Sequence, residues 1–196
     1  MPNIQDILKA IGKPADHVYS PSDDTFLMID ALSTLPLRDK EALDMGTGSG
    51  VLGLVCAQMG AHVTVTDTED SALENAKAAA HKLNLTVKAT KSDIFSNVTE
   101  RFDIVLFNPP YLPSDEVRDR AVDGGTEGSQ VMNRFLKELP LHLKKDGFAL
   151  LLVSTLNQPR TIIDSHPELL FKVVTTRSLF FEELQVLLCK LRNFSS

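Results

Sequence analysis

Hydrophobic residues along this chain follow two spacings, and the two alternate. EALDM at 41–45 is short and mostly apolar, which predicts a strand. A Gly-rich turn and an apolar helix near Val51–Met59 follow it. In AHVTVTD at 61–67, Val63 and Val65 alternate with threonines, the period-two pattern of a strand. Over 69–83, Leu73, Ala76, Ala80 and Leu83 recur at helical spacing. LTVKAT near 85–90 predicts a third, more polar strand at a sheet edge. FDIVLF at 102–107 is nearly all apolar, as a central strand covered on both faces should be. A helix near 129–144 carries Val131, Met132, Phe135, Leu136, Leu139 and Leu143, and Pro140 should bend or divide it. Gly147 then opens a strand in FALLLVS, and FKVVTTR and ELQVLLCKL predict two closing strands.

This order implies an α/β fold, a Rossmann-like, doubly wound and largely parallel sheet with helices on both faces. Residues 1–35 are expected to form an N-terminal helical extension of a single domain over 1–196. In such sheets ligands bind beyond the carboxyl ends of the strands, so those ends carry the functional question.

Composition narrows the classes. The chain has 196 residues, 43% of them hydrophobic, enough for one domain with a full core. No apolar run approaches the roughly 20 residues of a membrane helix, and the start lacks the basic-then-apolar layout of a signal peptide. A cytoplasmic protein is expected. Cys56 and Cys189 both sit in apolar stretches, which predicts buried thiols. The five histidines form no ligand-spaced pair, so no metal site is expected. A net charge of −6 speaks against a whole-surface nucleic-acid binder; Arg118 and Arg120 suggest at most a small basic patch.

The first strand ends in DMGTGSGVLG, residues 44–53. Gly48, Gly50 and Gly53 fit the dinucleotide pattern G-x-G-x-x-G, a weak signal by itself. Asp44 opposes that reading, because it would repel a pyrophosphate at this turn. S-adenosylmethionine has no phosphate and carries an ammonium and a sulfonium, so D-x-G-x-G-x-G, with Asp44, Gly46, Gly48 and Gly50, suits it better. The second strand ends at Asp67, about 20 residues beyond Gly46, the offset of an acid that holds ribose hydroxyls; a plain helix cap near Thr68 is the bland alternative. The third ends in KSDIF, where Asp93 could accept from an adenine amino group and Ile94 could pack on the ring.

The fourth strand ends in NPPY, 108–111. The Asn108 side-chain carbonyl and the Pro109 backbone carbonyl are two acceptors that could grip a planar –NH2 group. Such a nitrogen is a poor nucleophile because its lone pair is delocalised, and holding both protons aims it at a methyl donor. Pro109 and Pro110 keep the grip rigid, and Tyr111 could stack on the flat substrate. This chemistry suits an amide and an exocyclic amine of adenine or guanine in RNA or DNA equally well.

Together these residues resemble the HemK-type release-factor glutamine methyltransferases, of the class I S-adenosylmethionine-dependent methyltransferases. VYSPSDDTFLMIDAL at 18–32 is similar to the entry segment of their short archaeal and eukaryotic branch; VDGGTEGSQVMNRFL at 122–136 and FFEELQVLLCKL add to the match. The resemblance implies a seven-stranded sheet and S-adenosylmethionine as cofactor. It implies methylation of the side-chain amide of the Gly-Gly-Gln glutamine in a class I translation release factor. It assigns Thr25, Asp44, Gly46, Asp67, Asp93, Ile94 and Asn108 to the cofactor, and Asn108, Pro109, Pro110, Tyr111 and Leu112 to the glutamine. It also raises a small zinc-binding activator subunit at the third-strand edge, although Lys88 and Lys91 stand guard there. Ser22-Asp23-Asp24-Thr25 reads locally as a helix N-terminus with a Ser cap and acidic residues in the first turn.

Overall fold

The computed structural model describes residues 2–12, 20–110 and 130–192. Seven strands, β1 (Glu41–Met45), β2 (His62–Asp67), β3 (Val87–Lys91), β4 (Phe102–Phe107), β5 (Leu143–Ser154), β6 (Leu169–Ser178) and β7 (Glu183–Leu191), form one sheet of order β3-β2-β1-β4-β5-β7-β6. All pairings are parallel except those of β7, which runs antiparallel to both β5 and β6. The helices are α1 (Ile4–Ile11), α2 (Asp23–Leu32), α3 (Val51–Gln58), α4 (Asp70–Lys82), α5 (Gln130–His142) and α6 (Pro159–Asp164). Among the described residues, no helix is long and apolar enough to cross a membrane.

The near-continuous apolar run of β4 has a direct cause. Ile104 and Leu106 enter one core cluster, with residues of α1 to α4, while Val105 and Phe107 enter the other, with Phe135 and Leu136 of α5. A strand covered on both faces must be apolar at every position. Each fully buried Leu, Val or Phe contributes about 1.5–3 kcal/mol from burial alone. Phe102 breaks the alternation and joins Val105 and Phe107, because the pairing with β5 slips between Phe102 and Ile104.

That slip corrects one expectation. The strand anticipated from Gly147 begins earlier, at Leu143, which pairs with Phe102 before the ladder resumes at Ile104 and Phe148. Lys144, in the irregular stretch, donates to Asp103 at 2.9 Å. Gly147 is required there, because a Cβ would lie 2.8 Å from the Phe102 carbonyl oxygen. A second correction concerns Pro140, which does not divide α5: the helix runs on to His142. In the last turn the missing N–H removes a single bond, and buried Leu139 keeps the turn seated on the core. The polar strand β3 is indeed an edge, and both cysteines are buried.

The strand order reverses between β1 and β4, whose neighbours β2 and β5 lead away in opposite directions. The crevice beyond the carboxyl ends of these two strands is where such folds hold ligands. Gly46 follows β1 and Asn108 follows β4, so the two sequence signals flank that crevice.

Candidate active site

The turn after β1 is built by positive backbone angles. Gly46, Gly48 and Gly50 have φ of 60°, 51° and 89°, values that glycine adopts without steric cost. Gly50 is the N-cap of α3, and a Cβ on it would press on Ala76 of α4 at 3.0 Å. The carboxylate of Asp44 organises the turn from within. Its Oδ2 accepts from the Thr47 hydroxyl at 2.6 Å and from the Gly53 N–H at 2.8 Å. Burial pushes the Asp44 carboxyl up to about 6, the two hydrogen bonds oppose that shift, and the nearby charge of Asp67 adds to it.

Asp67 closes the turn from the next strand. Its Oδ2 accepts from the Gly48 N–H at 2.9 Å and its Oδ1 from the Glu69 N–H at 3.0 Å. The helix it precedes starts at Asp70 with Glu69 as N-cap, so Asp67 does not occupy the cap position. Two further bonds tie the same loop down: Thr47 N–H to the Thr66 carbonyl at 2.8 Å, and Asn75 Nδ2 to the Ser49 carbonyl at 2.9 Å. A carboxylate offers about four lone-pair positions, so Asp67 keeps acceptor capacity beyond these two bonds.

After β3, Asp93 is exposed and pairs through Oδ2 with Arg134 of α5 at 2.8 Å. Ile94 is buried and takes φ of 51°, an uncommon angle for a β-branched residue. The Ser92 hydroxyl donates to its carbonyl at 2.8 Å and braces that turn.

After β4, Asn108 and Pro110 are half-buried and Pro109 is buried. Tyr111 and Leu112 lie outside the described residues, as do Arg118, Arg120 and the Gly-Gly stretch near Gly124. Asn108 Nδ2 donates to Asp24 Oδ2 at 3.0 Å. Asn108 Oδ1 is buried and has no hydrogen-bond partner among the described residues. Asp24 stands in the first turn of α2 and is 2% exposed. Its Oδ1 accepts from the Thr25 N–H at 2.6 Å and from the Thr25 hydroxyl at 3.3 Å. Thr25 is buried beside it.

Sequence reasoning missed Asp24. The sequence marks it only as an acidic residue in the first turn of a helix, whereas the chain buries it against Asn108, 84 residues away. The Ser cap also needs correction. Ser22 holds the N-cap position but makes no side-chain cap bond. Anchorage comes instead from Arg177 of β6, which donates to the Asp23 carbonyl and carboxylate at 3.2 and 3.0 Å and to Asp30 at 3.2 Å.

The crevice thus gathers carboxylates at three strand ends, a glycine cradle, and one buried amide oxygen in want of a donor. This set fits S-adenosylmethionine, which brings ribose hydroxyls, an adenine amine and two cationic centres to acceptors and acids.

Residues 22–175 match the model of the methyltransferase small domain family. A putative protein N5-glutamine methyltransferase of Methanocaldococcus jannaschii is 37% identical over 179 residues, covering 87% of this chain and 90% of the relative. Methyltransferase HEMK2 of Homo sapiens is 32% identical over 186 residues, covering 86% and 83%. Among solved structures, the E. cuniculi Mtq2–Trm112 complex, described as responsible for methylation of the eRF1 translation termination factor, superposes with a TM-score of 0.74 at 26% identity, covering 90% of this chain and 99% of that one. With this fold, this crevice and these relatives, the chain belongs to the methyltransferase small domain family, among the HemK-type protein glutamine methyltransferases, whose methyl donor is S-adenosylmethionine.

Proposed function

We propose that this protein methylates the side-chain amide nitrogen of the Gly-Gly-Gln glutamine in a class I translation release factor. The observation that carries the reading is Asn108 Oδ1, a buried acceptor without a partner among the described residues, at the end of the central strand. A buried carbonyl left without a donor costs about 1–3 kcal/mol, and a substrate N–H would relieve that cost.

When bound, S-adenosylmethionine would supply an electrophilic methyl group for the glutamine nitrogen. The protein's residues do the rest by position. Asp67 takes the ribose hydroxyls, Asp93 and Ile94 the adenine, and Asp44, Thr25, Gly46, Gly48 and Gly50 line the remainder of the cofactor. Asn108 Oδ1 and the Pro109 carbonyl accept the two amide protons and turn the nitrogen towards the methyl. Pro110 stiffens the exit. The methylated nitrogen gives up its extra proton to solvent, so no strong base is needed beside it.

A small activator subunit is part of the proposal, since the solved relative is a two-chain complex. Its place would be the free edge of β3. The lysines there are neutralised within the chain, Lys88 by Glu100 and Lys91 by Asp70, which leaves less charge to repel a partner strand.

The test is methyl transfer from radiolabelled S-adenosylmethionine to a purified class I release factor, to its Gly-Gly-Gln glutamine-to-alanine variant, and to total RNA and DNA. Label on the intact factor alone is expected. Label on nucleic acid alone would move the enzyme to exocyclic amines of bases.

A further inference from the structure

We infer that Asp24 is a positioning residue, and that it sets which end of the Asn108 amide faces the substrate; the inference rests on the glutamine reading above. An asparagine amide has a donor end and an acceptor end of nearly the same shape, and a 180° turn exchanges them. At a site meant to grip an –NH2 group, the turned amide would present its own –NH2 and repel the substrate. Something must choose the orientation. A carboxylate can only accept, so Asp24 Oδ2 at 3.0 Å holds Nδ2 towards itself and leaves Oδ1 as the end available to a substrate N–H.

The arrangement is held from both sides. Asp24 is 2% exposed, and the Thr25 N–H and hydroxyl hold its other oxygen, so it cannot readily rotate away. Arg177 fixes the helix that carries it through Asp23 and Asp30. Asn108 Oδ1 is left buried with no partner among the described residues. A first-turn acid needed only for the helix dipole works while exposed, as Asp23 does. Burying Asp24 against the NPPY amide is explained by orientation and not by the helix.

The test compares the full-length protein with Asp24→Asn, Asp24→Glu, Asn108→Ala and the double variant Asp24→Asn/Asn108→Ala. Asn at 24 is isosteric, but it can donate to Asn108 Oδ1 and so permits the turned amide. Asp24→Asn is expected to lower kcat by about 10²-fold, with KM for the release factor changed much less. Asp24→Glu keeps the acceptor and should recover part of the loss. The double variant should be no slower than Asn108→Ala, because Asp24 acts through Asn108. Near-normal turnover in Asp24→Asn, or losses that multiply in the double variant, would overturn the assignment.

A second readout is independent of activity. The Asn108 side-chain amide resonances, assigned by their loss in Asn108→Ala, should shift in Asp24→Asn and stay near their wild-type positions in Asp24→Glu. If the wild type labels no glutamine, the functional reading fails, and these resonances still judge the orientation. If Asp24→Asn does not fold, the Asp24→Glu kinetics and resonances decide: an unmoved amide with partial activity supports the assignment, and a moved amide with full activity sinks it.

Discussion

Asp67 at the end of β2 accepts the backbone N–H of Gly48 at 2.9 Å, so the second strand holds the turn that follows the first. The same carboxylate is the proposed ribose acceptor. Removing it therefore strikes twice, at the ligand and at the loop that cradles it. Asp67→Ala is expected to weaken S-adenosylmethionine binding by about 10- to 100-fold, the range for hydrogen bonds to a charged group. Isothermal calorimetry reads this directly, and an unchanged affinity would remove Asp67 from the cofactor site.

Asn108→Ala should behave differently. Among the described residues, the cofactor loops make no hydrogen bond to the Asn108 side chain, whose Nδ2 goes to Asp24. Cofactor affinity should stay near wild type while methyl transfer falls by about 10²-fold or more, since the reacting nitrogen loses its alignment. Single-turnover kinetics with saturating cofactor separates the two effects, and a variant that turns over near-normally would end the role given to this residue.

Gly53 tests the packing under the turn. It lies inside α3 at an ordinary helical angle, where alanine would by propensity gain about 1 kcal/mol. Yet a Cβ there would stand 2.8 Å from Val65 Cγ1 and 3.1 Å from Asp44 Oδ2. Overpacking of that kind costs about 1–3 kcal/mol, so the clash should outweigh the propensity. Gly53→Ala is expected to lower the denaturation midpoint, by urea or heat, and to weaken the Gly53 N–H bond to Asp44. A midpoint at or above wild type would mean that Val65 yields easily.

Much of this was legible because period and burial coincide. The limits of β1 and β4 follow from runs that change character abruptly at Gly46 and Asn108. The start of β5 was not legible: Leu143 continues the helical spacing expected over 129–144, and only the slipped pairing with Phe102 makes it a strand residue. The candidate site divides in the same way. Acids at strand ends announce themselves through the adjoining glycines, but Asp24 depends on a contact 84 residues away, and no local pattern carries that. The ion pair of Asp93 with Arg134 is hidden for the same reason, since the two come from elements on either side of β4.

The last prediction concerns pH and Asp44. Its carboxyl is pushed up to about 6 in the folded protein from an ordinary 3.8, chiefly by burial. Between about pH 4 and pH 6 the folded chain therefore keeps a proton that the unfolded chain has released. Stability must fall as pH rises through that window, and the loss is complete above it. At about 1.4 kcal/mol per unit, the cost of the buried charge at neutral pH is on the order of 3 kcal/mol. Asp44→Asn should remove that slope, because the amide oxygen can still accept from Thr47 and Gly53. Glu100, held down to about 2 mainly by its hydrogen bond from Lys88, acts in the opposite direction, but its window lies below pH 4.5. Urea denaturation of both proteins at pH 4.5, 5.5 and 7 isolates the Asp44 contribution, since histidines common to both cancel in the difference. A charge kept at such cost points to a ligand that needs it. S-adenosylmethionine should accordingly bind the wild type more tightly at pH 7 than at pH 5, with net proton release near pH 6, and Asp44→Asn should show neither. Equal affinity of the wild type at both pH values would mean that the buried acid serves the turn alone.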